Sequence, residues 1–81
     1  MSNSLLSYSS ESKNGKNYFY ITRYNIGVKD KKIADLFNIS LEEYIEILIA
    51  TGGYKDDNRG YIFNTEEEVM NAIVTLKILL E

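Results

Sequence analysis

The sequence has no cysteine, histidine, proline or tryptophan. Without cysteine the chain has no disulfide framework and no thiol chemistry, which fits a reducing compartment. Without histidine it also lacks the commonest general base, and the usual zinc ligands are missing. No glycine-rich phosphate-binding loop replaces these groups. We therefore expect no catalysis, no cofactor, no bound metal and no small-molecule substrate.

Long apolar segments are missing as well. No run approaches the roughly 20 apolar residues that span a bilayer, and the Leu5-Leu6 pair is too short for the core of a signal peptide. We therefore expect a cytoplasmic protein that does not enter a membrane. With 81 residues, of which 44% are hydrophobic and 26% charged, the chain is expected to form one small globular domain.

Charge is distributed unevenly along the chain. Residues 1–32 carry six basic and two acidic side chains, a net charge of +4, whereas residues 33–81 have a net charge of −7. Such a division can give one basic and one acidic face that steer partners by charge, or it is only an uneven solvated surface. Isoleucine, asparagine, lysine and tyrosine are frequent, a bias typical of AT-rich genomes such as those of phages, mobile elements and low-GC bacteria.

A β-hairpin is indicated near the N-terminus. The dipeptide Asn14-Gly15 favours a type I′ turn, because both residues tolerate positive φ. In that hairpin Tyr8 would face Ile21, and Ser10 would face Phe19. The aromatic and β-branched residues that follow the turn are typical of a strand.

The N-terminal segment determines where the boundary of the domain is placed. Residues 1–17 are rich in serine and asparagine, which is also typical of a flexible arm. We therefore interpret residues 1–17 either as an arm or as the first hairpin strand, and residues 18–81 as a single domain.

Two helices are predicted in the middle of the chain. Asp30 is expected to be the N-cap of a short helix that continues to Phe37. Ser40 with Glu43 forms a capping box for the second helix, and Gly52-Gly53 ends it. The inward stripe of the second helix is predicted to comprise Leu41, Tyr44, Ile45 and Leu48.

The last third of the chain predicts a turn, a strand and a helix. Residues 56–60 have the composition of a turn, and residues 61–63 that of a short strand. Thr65 with Glu68 forms a second capping box, which opens a helix over residues 66–80. Its inward stripe is predicted to comprise Val69, Ala72, Ile73, Leu76 and Leu80.

Residues 32–48 resemble the core of the helix-turn-helix superfamily. Ala34 is the small residue at the helix crossing, Asn38 stands where the motif usually has glycine, and Ile39 lies between the helices. The resemblance implies a helix-turn-helix pair in the middle of the domain. Together these patterns predict an α+β fold that is winged-helix-like: a small antiparallel sheet, built from the N-terminal strands and residues 61–63, packed on three helices.

The second helix departs from the pattern of a DNA reader. In DNA-binding members its exposed N-terminal part enters the major groove with basic or amide side chains. Here that part begins with Leu41 and carries three carboxylates, which phosphates would repel. We therefore interpret this acidic helix as a protein-binding surface formed by Glu42, Glu43 and Glu46.

Nucleic acid remains an alternative partner through the basic half of the chain. Tyr18, Tyr20 and Tyr24 could provide stacking faces for single strands, or they cover a small core. The candidate phosphate contacts are Arg23, Lys29, Lys31, Lys32, Lys13 and Lys16.

The last helix has more apolar residues than one core face requires. Met70, Val74 and Ile78 recur at a spacing of four and point away from the inward stripe. Either the N-terminal strands cover this second stripe, or a partner does. We therefore favour a protein-interaction or self-associating module, with a homo-oligomer such as a dimer as its simplest form. The alternatives are a nucleic-acid-binding regulator and a structural subunit of a larger assembly such as a virus particle.

Overall fold

The computed structural model describes residues 6–23, 26–27, 29–57 and 59–80. It is a small α+β domain with three helices and two small antiparallel sheets among these residues, so the predicted class is confirmed. The elements in chain order are β1 (Leu6–Lys13), β2 (Lys16–Arg23), β3 (Ile26–Gly27), α1 (Asp30–Leu36), α2 (Leu41–Ala50), β4 (Tyr54–Asp56), β5 (Gly60–Ile62) and α3 (Glu66–Leu80).

The N-terminal hairpin has the predicted turn and register. Asn14 and Gly15 have φ values of 56° and 77°, as a type I′ turn requires. Tyr8 pairs with Ile21 and Ser10 with Phe19. Of the segment 1–17, residues 6–13 are therefore a strand and residues 14–17 are the turn and the start of β2, while residues 1–5 lie outside the described residues.

The prediction of one sheet was wrong. β1, β2 and β3 form a three-stranded sheet in that order, whereas β5 pairs with β4 in a separate two-stranded sheet. The two sheets meet where Phe19 and Phe63 exchange backbone hydrogen bonds of 2.9 and 2.8 Å. Neither β3 nor β4 was predicted, because β3 has two residues and β4 carries Lys55 and Asp56 in place of the apolar alternation of a strand.

The helix α1 begins one residue earlier than predicted. Its N-cap is Lys29, whose backbone is extended, and Asp30 is the first helical residue. The Asp30 side chain lies close to Gly60 instead of capping, since a Cβ on Gly60 would be 3.0 Å from Asp30 Oδ2. The helix ends at Leu36, and Phe37 is its C-cap instead of its last residue.

The connection from α1 to α2 has the predicted local geometry. Asn38 has a φ of 61°, the left-handed conformation that asparagine tolerates better than most residues. Ile39 is half-buried and packs against the core beside the turn. Ser40 then caps α2 in a capping box with Glu43, with both backbone N–H contacts at 3.1 Å.

Most of the inward stripe of α2 is confirmed. Tyr44 and Leu48 are buried, and Ile45 packs against the core. Leu41 is 39% exposed, which contradicts its prediction as an inward residue. Leu41 lies on the same helical face as Tyr44 and Leu48, but it is the first residue of the helix and lies beyond the edge of the core.

The helix α3 spans the predicted residues and has the predicted capping box. Thr65 Oγ1 accepts from the Glu68 N–H, and Glu68 Oε1 accepts from the Thr65 N–H, both at 3.2 Å. Its inward residues Val69, Ala72, Ile73 and Leu76 are buried, while the side chain of Leu80 lies outside what the structure describes.

One hydrophobic core joins the first sheet to the helices. The sheet contributes Leu6 and Ile21, and Phe63 is fully buried beneath the junction of the two sheets. The helix α3 packs on both β1 and β2, and also on α2. Within the described residues, no helix is long and apolar enough to cross a membrane. This packing leaves one flank of α3 and one flank of α2 at the surface.

Candidate functional site

The second apolar stripe of α3 is at the surface. Met70, Val74 and Ile78 are 47%, 49% and 71% exposed. The N-terminal strands therefore do not cover this stripe, although their covering it was one of the two interpretations of the sequence. Because α3 also buries four residues on its inward face, it is apolar on two sides, and among the described residues only the inward side is covered.

The position of the hairpin explains why the stripe stays open. The hydroxyl of Tyr8, on β1, donates a hydrogen bond to Glu66 in the first turn of α3. Met70 lies one helical turn beyond Glu66, on the same flank of the helix. This flank is beside β1, the last strand of its sheet, so no further strand extends over it among the described residues.

The acidic helix α2 faces the opposite flank of α3. Glu43 and Glu46 line an open groove between α2 and α3 with a volume of ≈ 350 Å³. Glu43 is also part of the capping box, so one of its oxygens is already hydrogen-bonded to Ser40. Glu42 is exposed but does not line the groove, because one residue along a helix turns the side chain by about 100°. The three glutamates predicted as one surface are therefore divided between two flanks.

The groove and its surroundings include apolar residues that the sequence pattern did not single out. Ile47 and Leu79 line the groove, and Leu79 is 64% exposed. Ile49 is also exposed, on another flank of α2. The consecutive apolar residues at the end of α3 could have indicated Leu79, because three adjacent residues of a helix cannot all face one core.

The predicted basic residues do not form one patch. Lys13 and Lys16 are exposed and pair with each other across the hairpin turn. Arg23 is half-buried at the other end of β2, which by strand geometry is about 23 Å from Lys16. The two lysines at the hairpin turn are therefore far from Arg23 and cannot share one binding patch with it.

The second basic group lies around the first turn of α1. Lys29 and Lys32 are exposed, whereas Lys31 forms an exposed ion pair with Asp35 at 3.5 Å. These three lysines share one turn and form a group that is separate from the Lys13–Lys16 pair at the hairpin turn.

The tyrosines proposed as stacking faces take part in a cluster on the outer face of the hairpin. Tyr18 and Tyr20 donate hydrogen bonds of 2.7 and 3.1 Å to the carboxylate of Glu11. Arg59, from the turn between β4 and β5, forms an ion pair with Glu11 and lies over the Tyr20 ring at 5.1 Å. The hydrogen bond from Tyr18 is the main cause that lowers the pKa of Glu11. This cluster joins the two sheets, and Tyr24 lies outside the described residues.

In the part of the chain that the structure describes, no three acidic, histidine or cysteine side chains are placed to hold a metal ion. A comparison with protein families, with curated proteins and with solved structures finds no match to this chain. The candidate site is therefore defined by its surfaces alone: the α3 stripe (Met70, Val74, Ile78) and the acidic groove (Glu43, Glu46, Ile47, Leu79).

Proposed function

We propose that this chain is a non-enzymatic protein-interaction module of the cytoplasm that binds a protein partner, or a second copy of itself, through the α3 stripe. The single observation that carries the proposal is the exposure of Met70, Val74 and Ile78 on a helix that already buries its opposite face. Large apolar side chains that adjoin one another at a surface are typical of interaction sites. Removing one such side chain from water contributes on the order of 1–2 kcal/mol to binding.

The charge of α2 supports a protein partner over a nucleic acid. All the charged residues of this helix are glutamates, Glu42, Glu43 and Glu46, and all are exposed. In the helix-turn-helix arrangement that we propose for α1 and α2, with the small sheet as a wing-like addition, α2 would be the helix presented to DNA. A phosphate backbone would repel it, whereas basic side chains of a protein would be attracted.

Replacing the α3 stripe by cations tests the proposal. We expect Met70→Lys with Val74→Lys to weaken self-association and capture of any protein partner by roughly 100-fold, because two apolar contacts of about 1–1.5 kcal/mol each are lost. Sedimentation of the purified protein and affinity capture from a cell extract would measure the change.

Asp57→Lys is the matched control for this experiment. Asp57 is exposed in the turn between β4 and β5, and its replacement changes the net charge by the same amount as the stripe variant. We expect the control to retain both the mass in solution and the captured partner. Unchanged association of the stripe variant, with its fold intact by circular dichroism, would contradict the proposal.

A nucleic-acid-binding regulator is the second candidate, and the lysine cluster at α1 favours it. It predicts binding of labelled duplex or single-stranded DNA that weakens steeply with salt and is lost when Lys29, Lys31 and Lys32 become glutamate. The stripe variant would not lose that binding, because it adds positive charge and removes none of the three lysines, so the two candidates are separable. A structural subunit of a larger assembly, such as a virus particle, would use the same α3 stripe, and the mass of its assemblies in solution would distinguish it.

A further inference from the structure

The acidic groove combines apolar side chains with carboxylates. The helix α2 contributes Glu43, Glu46 and Ile47, and α3 contributes Leu79. Along α2 the groove extends from Glu43 to Thr51, and at 1.5 Å per residue this distance is about 12 Å, or two helical turns. Its volume of ≈ 350 Å³ is within the range of about 300–1,000 Å³ that is typical of pockets that hold a ligand. The groove therefore has room for a few side chains of a partner.

The carboxylates of the acidic groove are not neutralised by neighbouring cations. Among the described residues, no basic side chain lines the groove. The helix α2 has no basic side chain, and Glu46 has no ion pair or hydrogen bond within the described part of the chain. Lys77, the basic residue of α3, is two positions from both Thr75 and Leu79, so its side chain lies on the other side of that helix. A positive charge brought into the groove would therefore meet carboxylates and no like charge.

A capping box holds one carboxylate of the groove in place. Glu43 Oε1 accepts hydrogen bonds from the N–H and the hydroxyl of Ser40 at 3.1 and 3.2 Å, and Glu43 Oε2 has no hydrogen bond to any described residue. Near the other end, the Glu68 carboxylate lies beside Gly52, the residue after Thr51, and its own capping box holds it there. Because these side chains are fixed before a partner arrives, a basic partner loses less free energy in ordering them.

The walls of the groove favour a helical occupant over an extended one. Both walls are α-helices, whose backbone groups bond along the helix itself. The Thr51 hydroxyl is also used internally, because it donates to the carbonyl oxygens of Ile47 and Leu48 at 2.9 and 3.0 Å. An extended peptide would bury backbone N–H and C=O groups without partners, whereas a helix satisfies its own. A helix laid into a groove is also a common mode of peptide recognition.

We propose that the acidic groove is a second docking site, and that it binds an amphipathic helix of a partner protein. The helix would carry large aliphatic residues one turn apart, which contact Ile47 and Leu79, and arginine or lysine beside them, which pair with Glu43 and Glu46. Two turns of such a helix match the length of the groove. The inference goes beyond the proposed function, because the α3 stripe is on the opposite flank of α3 and takes no part in this contact.

Charge separates this occupant from a second copy of the chain. The helix α2 carries three glutamates, and α3 carries three glutamates and one lysine, so either helix of a second copy would bring like charge to the groove. The helix α1 carries two lysines and two aspartates, and its apolar residues Ile33 and Ala34 are buried in its own core. Among the described residues, no helix therefore has the net positive charge that the groove selects, and the occupant has to come from another protein.

A pair of synthetic peptides tests the chemistry of this occupant. The first is a fluorescein-labelled, alanine-based peptide of about 16 residues, long enough to be helical, with two leucines one turn apart between arginines. The second has glutamate in place of each arginine. We expect the anisotropy of the first peptide to rise with the concentration of the intact protein and to fall with added salt, and we expect the second not to bind. Binding of both peptides, or of neither, would overturn the proposal.

Substitutions at exposed positions locate the contact. We expect Glu46→Lys to weaken binding of the arginine peptide about tenfold, because an attraction becomes a repulsion. Glu42→Lys is the matched control: it makes the same change of charge on the same helix but outside the groove, and its effect should be below about threefold. Leu79→Ser removes an apolar contact and should also weaken binding about tenfold, whereas Ile78→Ser, on the α3 stripe, should not. Equal effects of Glu42→Lys and Glu46→Lys would show nonspecific attraction and contradict the groove as the site.

Sedimentation and the stripe variant separate this inference from the proposed function. If Glu46→Lys or Leu79→Ser lowers the mass of the protein in solution while circular dichroism shows an intact fold, the occupant is a second copy and the partner helix is ruled out. If the arginine peptide does not bind while Met70→Lys with Val74→Lys loses its partner, the groove proposal fails and the proposed function stands. If the peptide binds in the groove while the stripe variant keeps its partner, the proposed function fails and the groove proposal stands.

Discussion

Among single residues, Asp30 and Tyr44 stand out because both place polar groups in the interior. Tyr44 is fully buried, and its hydroxyl has no hydrogen-bond partner among the described residues. Burial raises its pKa, and the charge of Asp30 raises it further. The Asp30 carboxyl is half-buried near Gly60, and burial raises its pKa although the charge of Lys55 opposes the shift. For both groups, folding therefore makes ionisation less favourable than it is in the unfolded chain.

The stability of the protein should depend on pH through Asp30. Because its pKa is higher in the folded than in the unfolded state, the ionised carboxylate destabilises the fold at pH values above the folded pKa. At pH values below the pKa of the unfolded state, the carboxyl is neutral in both states, and this destabilisation disappears. We therefore expect Asp30→Asn to raise the free energy of unfolding at pH 7, and by less at pH 3, in urea titrations.

Asp35→Asn provides the control for this pH dependence. Asp35 is exposed and pairs with Lys31 at the surface, where such pairs contribute about 0–1 kcal/mol. We expect a small change at either pH. A destabilising effect of Asp30→Asn that is larger at pH 7 than at pH 3 would show instead that the folded protein holds the carboxylate favourably.

The residues that the sequence predicted correctly have roles decided by their near neighbours. Asn14-Gly15 and Asn38 adopt positive φ because the turns that contain them require it. Asp30 and Leu41 were predicted wrongly, because their environments depend on distant parts of the chain. The side chain of Asp30 lies near Gly60, and Leu41 is exposed because the core ends before it.

At the scale of elements, the junction between α2 and β4 depends on two glycines, which allow the backbone to pack closely against neighbouring residues. Gly52 has a φ of 112°, the conformation for which the glycine pair was predicted. Gly53 is required for a different reason, which is space. A Cβ on Gly53 would lie 2.9 Å from the carbonyl oxygen of Leu48 and 3.1 Å from the ring of Phe63. The end of α2 is thus fitted against the buried Phe63.

We expect Gly53→Ala to destabilise the protein by about 1–3 kcal/mol, because the added methyl group overpacks this contact. Chemical denaturation followed by circular dichroism would measure the loss. Ala50→Ser adds one atom at an exposed position of the same helix, and its effect should stay within about 0.5 kcal/mol. Equal stability of the two variants would mean that Phe63 can move away without cost.

The elements that the sequence predicted are those with strong local signals. The capping boxes at Ser40 and Thr65 fixed the starts of α2 and α3, and both are present. β3 and β4 lack such signals, because short strands form where a longer partner offers hydrogen bonds. β4 pairs with β5 over three residues and has two exposed positions, so its composition resembles that of a loop.

For the whole molecule, self-association links stability to protein concentration. If folded chains pair and unfolded chains do not, dilution shifts the equilibrium towards unfolding. We expect the Tm to rise by about 5 °C or more over a hundredfold increase in concentration, given the usual shift of 4–8 °C per kcal/mol for domains of this size. Differential scanning calorimetry or fluorimetry would measure it.

The variant with Met70→Lys and Val74→Lys supplies the comparison. Its Tm should be independent of concentration, because the α3 stripe no longer joins two copies. A wild-type Tm that does not change over the same range would argue against a dimer, and would leave a different protein as the partner of the stripe.

The surfaces of the molecule were only partly predictable from its sequence. Helical spacing identified Met70, Val74 and Ile78 correctly as a second stripe, but it could not decide whether the hairpin covers them. That depends on which flank of α3 the sheet occupies, and on β1 being the edge strand. The three glutamates of α2 were predicted as one surface, yet only Glu43 and Glu46 face the groove. Whether neighbouring elements cover a face is a property of packing and leaves no periodic signal.

The paired backbone bonds between Phe19 and Phe63 have a consequence for how the chain folds. Both helices α1 and α2 lie between these residues in the sequence, so the contact closes a long loop around them. Closing such a loop costs chain entropy before the contact is formed. The hairpin and the helices can form early and locally, but their joining depends on a non-local contact, which slows folding. The junction of the two sheets is therefore where we expect the rate-limiting step of folding.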